Sequence, residues 1–340
     1  MLTTDDSLRG GADCVRLLCA THRIHSGSAV EAMLAQRAAL LESAASTHVH
    51  TALLSTAGWL VQWLEGPEEA VNEAWEQLPR DAGAGRPMLL HRSRGPSSLG
   101  EPVQIASLHA EKSSDVARRL HYIAREHEQG WAAEPVEVWQ ALSAPCLVDA
   151  NGSLGFVGRR QVLAVASDDN DAIELVRSVA QQAGARIAYQ RYAGSELRRC
   201  DVGAAYADLA ASLTTTVRVQ GLSRRALSAG IRLLGLGHVE RLVLLVGRER
   251  TRARAVLAET ARLLSALEHP PIIHVVSPCE ATRELAADAL KALVAAHHVI
   301  VEASASAAAT ATSVLSALAR PSPESSGTQQ ESGCTPVAQS

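Results

Sequence analysis

Apolar residues fall in two rhythms along this chain, alternation within short runs and stripes spaced three to four apart, and each rhythm names an element. Residues 14–20 are almost wholly apolar and read as a strand. Ser28 and Glu31 then form a capping-box pair, and Val30, Met33, Leu34, Ala38 and Leu41 mark a helix. Residues 50–58 run from a strand into a turn, and 59–65 form a second strand, so the two predict a hairpin. Gly66-Pro67 breaks that strand. Pro67, Glu68 and Glu69 suit a first helical turn, and Val71, Ala74, Trp75 and Leu78 make its apolar face. Strands at 86–91 and 103–108 complete a β-α-β-β-α-β-β unit, a ferredoxin-like α+β fold of residues 14–110.

Residues 113–129 predict an amphipathic helix, and the Pro-, Gly- and Asn-containing stretch 135–158 reads as irregular, so 111–158 is taken as a helical connector and linker. From residue 160 strands and helices alternate. Strands are predicted at 161–166, 186–192, 241–246, 271–276 and 298–302. Helices are predicted on the stripe Ala172, Ile173, Val176, Val179 and Ala180, and over 252–267 and 280–296. That beat predicts an α/β domain over 159–303 with a mostly parallel sheet. Residues 1–13 read as a flexible start. Residues 304–340 read as a helical end passing into a disordered tail, because Ser, Gly, Gln and Pro cannot bury a core.

Composition narrows the function. A length of 340 residues suits two domains with appendages, and 47% hydrophobic residues supply their cores. Aromatics are 3% of the chain and the net charge is -4, which argues against nucleic acid as a partner. No apolar run nears the roughly 20 residues of a membrane helix, and no secretory leader is visible, so the expectation is a cytoplasmic protein without membrane contact. The six cysteines include no CxxC pair, and the histidine pairs 22/25, 48/50 and 297/298 lack completing ligands, so no metal site is expected.

One stretch carries a resemblance. The run Gly58-Trp-Leu-Val-Gln-Trp-Leu-Glu-Gly-Pro67 is similar to a strand of the BLUF family, the sensors of blue light using FAD, whose pattern ends Gln-x-Leu-Glu-Gly. Thr51-Ala-Leu-Leu, the leading Arg16-Leu-Leu, the helix after Pro67 and the order of elements extend the resemblance over residues 14–108. Strand alternation independently puts Leu60, Gln62 and Leu64 on one face, which sets an amide in an apolar row. The resemblance implies that Gln62 hydrogen-bonds a flavin ring. It also implies that Cys19 stands where the family has its photoactive tyrosine, and a thiol cannot take over a phenol's electron and proton transfer. The family's flavin-holding asparagine has no counterpart in 43–48, and its threonine-glycine is Thr51-Ala52 here.

The resulting expectation is a non-enzymatic regulatory protein, without working flavin photochemistry, acting through a protein partner or self-association. No cofactor is expected, FAD being the one such a pocket would take. The first alternative is a functional FAD photoreceptor with an atypical pocket, for which Tyr122 or Tyr189 would need to stand beside Gln62. The second is a nucleotide- or anion-binding α/β protein using Arg248, Arg250 and Arg252, which follow a strand and open a helix. No phosphate-binding glycine motif accompanies them. Asp168 and Asp169 read as a helix cap rather than a metal pair.

Overall fold

The computed structural model describes residues 14–22, 29–78, 87–109, 112–142, 146–148, 154–156, 158–168, 170–193, 202–212, 215–223, 239–265, 267, 269, 271–294, 299–302 and 307–318. The N-terminal unit runs β1 (Cys14–His22), α1 (Ala29–Thr47), β2 (His50–Thr56), β3 (Trp59–Gly66), α2 (Glu68–Gln77), β4 (Met88–Gly95) and β5 (Val103–His109). Two helices follow, α3 (Ser113–Glu128) and α4 (Pro135–Ala141), then the short strands β6 (Cys146–Val148) and β7 (Leu154–Phe156). The remainder comprises β8 (Gly158–Ala166), α5 (Asp171–Ala183), β9 (Ile187–Ala193), β10 (Val202–Ala210) and β11 (Thr215–Leu222). It ends with β12 (Val239–Leu245), α6 (Arg250–Ser265), β13 (Ile272–Val276), α7 (Glu280–Val294), β14 (Val299–Glu302) and α8 (Ala307–Leu318).

Twelve of these strands form one sheet in the order β14-β13-β12-β8-β11-β10-β9-β5-β2-β3-β1-β4. The β2–β3 hairpin turns on Ala57 and Gly58, both at positive φ (46° and 84°), the arrangement that matches the strand twist. Helices cover both faces. Apolar residues of α5 and α8 pack beneath Val162, Ala164, Val217 and Val219. On the same face α2 packs on Leu17 and Leu64, and α1 on Leu53 and Ile105. The opposite face is one continuous core in which α3 and α4 cover Leu18, Val61 and Trp63 while α6 and α7 cover Leu163, Leu242 and Ile273.

Two expectations are corrected. The second half does not form a sheet of its own: β8, β11, β12, β13 and β14 pair in parallel and β9, β10 and β11 are antiparallel neighbours, but all belong to one mixed sheet in which six of eleven ladders are antiparallel. The β10–β11 connection is too short for a crossover, so the chain must double back. The stretch after residue 135 is not irregular throughout. Pro135 starts α4, and Glu134 and Glu137 close a reciprocal capping box around it. The expectations for residues 1–13, Asp169, His25, His297, His298 and the tail beyond 318 lie outside the described residues.

Candidate functional site

The residues of the Gln62–Pro67 run divide sharply once their contacts are known. Leu64 is core. Glu65 is 1% exposed and is an acceptor hub: Oε1 takes the Trp63 Nε1–H at 3.0 Å, and Oε2 takes the Ser97 hydroxyl and the Ser98 and Leu99 amides at 2.8, 2.7 and 2.9 Å. It ties the loop between β4 and β5 to the sheet. Gly66 is required by close approach, since a Cβ there would stand 3.0 Å from the His48 carbonyl oxygen. Pro67 occupies the cap of α2 with φ -57°. Leu64, Glu65, Gly66 and Pro67 thus have structural work among the described residues.

Gln62 does not. It is 5% exposed, and its Oε1 has no hydrogen-bond partner among the described residues, which for a buried amide is a standing cost of about 1–3 kcal/mol. It lies on the face expected from strand alternation, and it lines a cavity of about 590 Å³ between α1, α2 and the sheet. Gln36, Leu40, Ser43 and Thr47 of α1 form one wall and Ala70, Glu73, Ala74 and Gln77 of α2 the other. Thr51 and Leu64 join Gln62 in the floor. The volume is that of a small-molecule site. Apart from Ala74, read as part of an apolar face, these helix residues were not singled out from the sequence, although a signal existed. On both helices the stripe lining the cavity mixes small and polar residues at spacings of three and four, which a tightly packed helix would fill with large apolar ones.

Cys19 is the direct partner of Gln62 in the β1–β3 ladder and is fully buried. Burial pushes its thiol up to about 12, with the Gln62 backbone pulling weakly the other way, so it is neutral and unreactive at physiological pH. Neither tyrosine named from the sequence lines the cavity beside Gln62. Tyr122 is on α3, across the sheet, under the Arg125 guanidinium at 5.3 Å, and Tyr189 is on β9, 40% exposed.

Directly behind the cavity, the other face of the same strands is tied to α3 and α4. Trp63 and Trp139 are in ring contact at 5.8 Å. Arg16 of β1 is 6% exposed and pairs with Glu134, just before α4, at 2.8 Å, while its Nε donates to Ser93 Oγ at 3.0 Å. His91 Nε2 lies 2.8 Å from the same hydroxyl and its ring 5.8 Å from that of His127 on α3. Desolvation first, then the charges of His127 and Arg16, lower His91 to about 4, with Glu134 opposing. A Cβ at residue 95 would meet the Arg16 guanidinium at 2.8 Å, which explains Gly95.

Arg248, Arg250 and Arg252 are all exposed. Arg252 pairs with Asp168 at 2.6 Å, and Glu249 accepts the Thr251 and Arg252 amides at 2.7 and 2.8 Å, capping the start of α6 with a carboxylate. Beside them Cys279 precedes α7, and amide donation from Thr282 and Ala281, with help from Arg248, lowers its thiol. Among the described residues no group of three or more His, Cys, Asp and Glu is placed to hold a metal, and no helix is long and apolar enough to cross a membrane.

No protein-family model and no curated protein matches the chain. Solved structures are similar to parts of it. A BLUF domain of BlrP1 matches at 20% identity over 27% of this chain with TM-score 0.24, so this chain spans 63% of that one. The BLUF protein BlrB in its dark state matches at 16% identity, covering 35% of this chain and 86% of that one, with TM-score 0.25. A bacterial light-regulated adenylyl cyclase matches at 10% identity, covering 65% of this chain and 81% of that one, with TM-score 0.27.

Proposed function

We propose that this is a BLUF-like signalling protein in which the cavity receives the signal and the α3–α4 face passes it to a protein partner, without flavin photochemistry. The observation that carries the reading is Gln62: a buried amide whose oxygen lacks a partner among the described residues, at the floor of a small-molecule-sized cavity, on a strand whose next residue, Trp63, packs on α4. Changing what Gln62 bonds to shifts strand β3, and any shift of β3 is felt at Trp139 and, through β1, at the Arg16–Glu134 pair. Cys19 removes the phenol that the family's light reaction needs, and its neutral thiol offers no substitute. Catalysis has no part in this reading. The protein purified in the dark with added FAD, followed by absorbance before and after blue light, tests it. A protein that takes up no FAD, or takes it up without a light-induced shift, is expected. A reversible red shift of a bound flavin band overturns the reading in favour of a photoreceptor with an atypical pocket.

A further inference from the structure

We infer that this chain assembles head to tail, the acidic outer stripe of α2 in one copy docking on the basic outer stripe of α3 in the next. The inference rests on α3 and α4 being the output face, and names the partner of that face as a second copy of this chain.

The first ground is the match between the two stripes. On α2, Glu69, Glu73 and Glu76 recur at i, i+4 and i+7 and are all exposed, while Val71 on the inner side of the helix is buried. On α3, Arg118, His121 and Arg125 recur at i, i+3 and i+7 and are exposed, while Val116, Leu120 and Ile123 are buried behind them. The two stripes have the same spacing from first to last charge, about 10 Å of helix. Laid antiparallel, Glu69 meets Arg125, Glu73 meets His121 and Glu76 meets Arg118, and the opposed helix dipoles add to the attraction. Asp115 and Glu128, the exposed acids of α3, lie about a turn beyond the ends of the basic stripe.

The second ground is that these charges have little use within one chain. Glu69, Glu76, Arg118 and His121 make no ion pair or side-chain hydrogen bond among the described residues. Glu73 accepts only from Gln77, at 3.2 Å. Arg125 is 3.6 Å from Glu126 and lies over Tyr122, which is half-buried within the stripe. Tyr and Arg are the residues that protein interfaces favour.

The third ground is placement. α2 packs on Leu17 and Leu64, on one face of the sheet, and α3 covers Leu18 and Val61 on the other. One copy therefore cannot bring its own stripes together, whereas a second copy offers each stripe its complement. A contact of this kind is heterologous and propagates until a ring closes or a filament grows. Exposed ion pairs are individually weak and screened by salt, so the assembly is weak and salt-sensitive.

Sedimentation velocity of the full chain over a range of concentrations tests this. Association is expected at about 50 mM salt and is expected to be about tenfold weaker at about 500 mM. Two variants remove charge at exposed positions, Glu69→Gln with Glu76→Gln, and Arg118→Gln with Arg125→Gln. Circular dichroism confirms that each is folded. Each alone is expected to stay monomeric. Mixed in equal amounts they are expected to form a dimer and nothing larger, since each supplies the stripe that the other has lost. A wild-type chain that is monomeric at low salt, an assembly indifferent to salt, a variant that assembles like wild type, or a mixture that stays monomeric overturns the inference. Each of those results leaves the function proposed above standing, with a protein of another sequence on the α3–α4 face. A flavin band that red-shifts reversibly under blue light overturns that function instead, and does not bear on the charge-paired assembly.

Discussion

Glu65→Ala tests whether the buried carboxylate is the clamp of the N-terminal unit. Four donors converge on it: Trp63 Nε1, the Ser97 hydroxyl, and the Ser98 and Leu99 amides. Ser97 is exposed and can turn to water, and Ser98 is half-buried, so neither contributes much. Trp63 is fully buried and Leu99 is 3% exposed, so their N–H groups are left without an acceptor. At about 1–3 kcal/mol for each stranded donor, the loss comes to about 2–6 kcal/mol. Glu65→Gln keeps the volume and one acceptor but turns an NH₂ toward at least one donor, for a loss of about 1–3 kcal/mol. Urea denaturation followed by tryptophan fluorescence measures both, and an unchanged m-value shows that the native state is otherwise intact. The order wild type, Glu65→Gln, Glu65→Ala is the content of the prediction. A Glu65→Ala protein within about 0.5 kcal/mol of wild type, the scatter of ordinary surface changes, refutes the clamp.

Three further outcomes are expected. Ala57 holds φ at 46° in the β2–β3 turn, a conformation that costs an alanine roughly 1 kcal/mol, so Ala57→Asn raises stability by about 0.5–1 kcal/mol in the same denaturation assay, and a loss of stability contradicts the turn assignment. His91 is lowered from 6.5 to about 4, so between those pH values the unfolded chain binds a proton that the folded chain refuses. Stability conferred by neutral His91 is complete above pH 6.5 and is lost as pH falls toward 4, so wild type declines relative to His91→Gln by about 1–3 kcal/mol across that window; parallel profiles refute it. Among the described cysteines, a thiol reagent labels Cys279 first and Cys19 only on unfolding, since one thiol is lowered at a helix start and the other is pushed up to about 12; early labelling of Cys19, tracked by peptide mass, contradicts its burial.

How much was legible depended on whether buried positions were apolar. The β2–β3 hairpin and α2 could be read because their inward residues are Leu, Val and Trp at the right period, and Gln62 stood out as the exception in that row. β10 and β11 went unread for the opposite reason. β10 is rich in alanine and buried on both faces, so it shows no alternation. In β11 the buried face carries Arg218 and Gln220, residues that a pattern reading assigns to solvent. They are satisfied by one another's neighbours: Gln161 donates to Gln220, Gln220 to Gln190, and Arg218 pairs with Asp208 while lying 3.8 Å over the Tyr206 ring. Such a network is visible only once β8, β11, β10 and β9 are side by side. Likewise Arg16, His91 and Glu134 are far apart in sequence, and only the β1–β4 ladder and the position of α4 bring them together.

The least legible feature, the joining of the two halves into one sheet, constrains how a signal would leave the cavity under the proposed function. β5 pairs with β9 from Ile105↔Ala193 to His109↔Tyr189, a ladder of backbone hydrogen bonds crossing from the N-terminal unit to the second half. Rotating one half against the other would break that ladder, at about 1 kcal/mol per bond, and would open the core shared by Leu53, Ile105 and Ala193. Rigid-body rotation is therefore the expensive route. Repacking is the cheaper one, and both available paths begin at residues that touch the cavity. One runs from Gln62 through its neighbour Trp63 to Trp139 and the α3–α4 pair. The other runs from Leu40, which lines the cavity and packs in the cluster that holds Ala193, into β9, where Gln190 and Tyr192 begin the polar network that ends at Gln161 on β8. A ligand that moves α1 away from the sheet thus loosens the second path, and one that re-bonds Gln62 acts on the first.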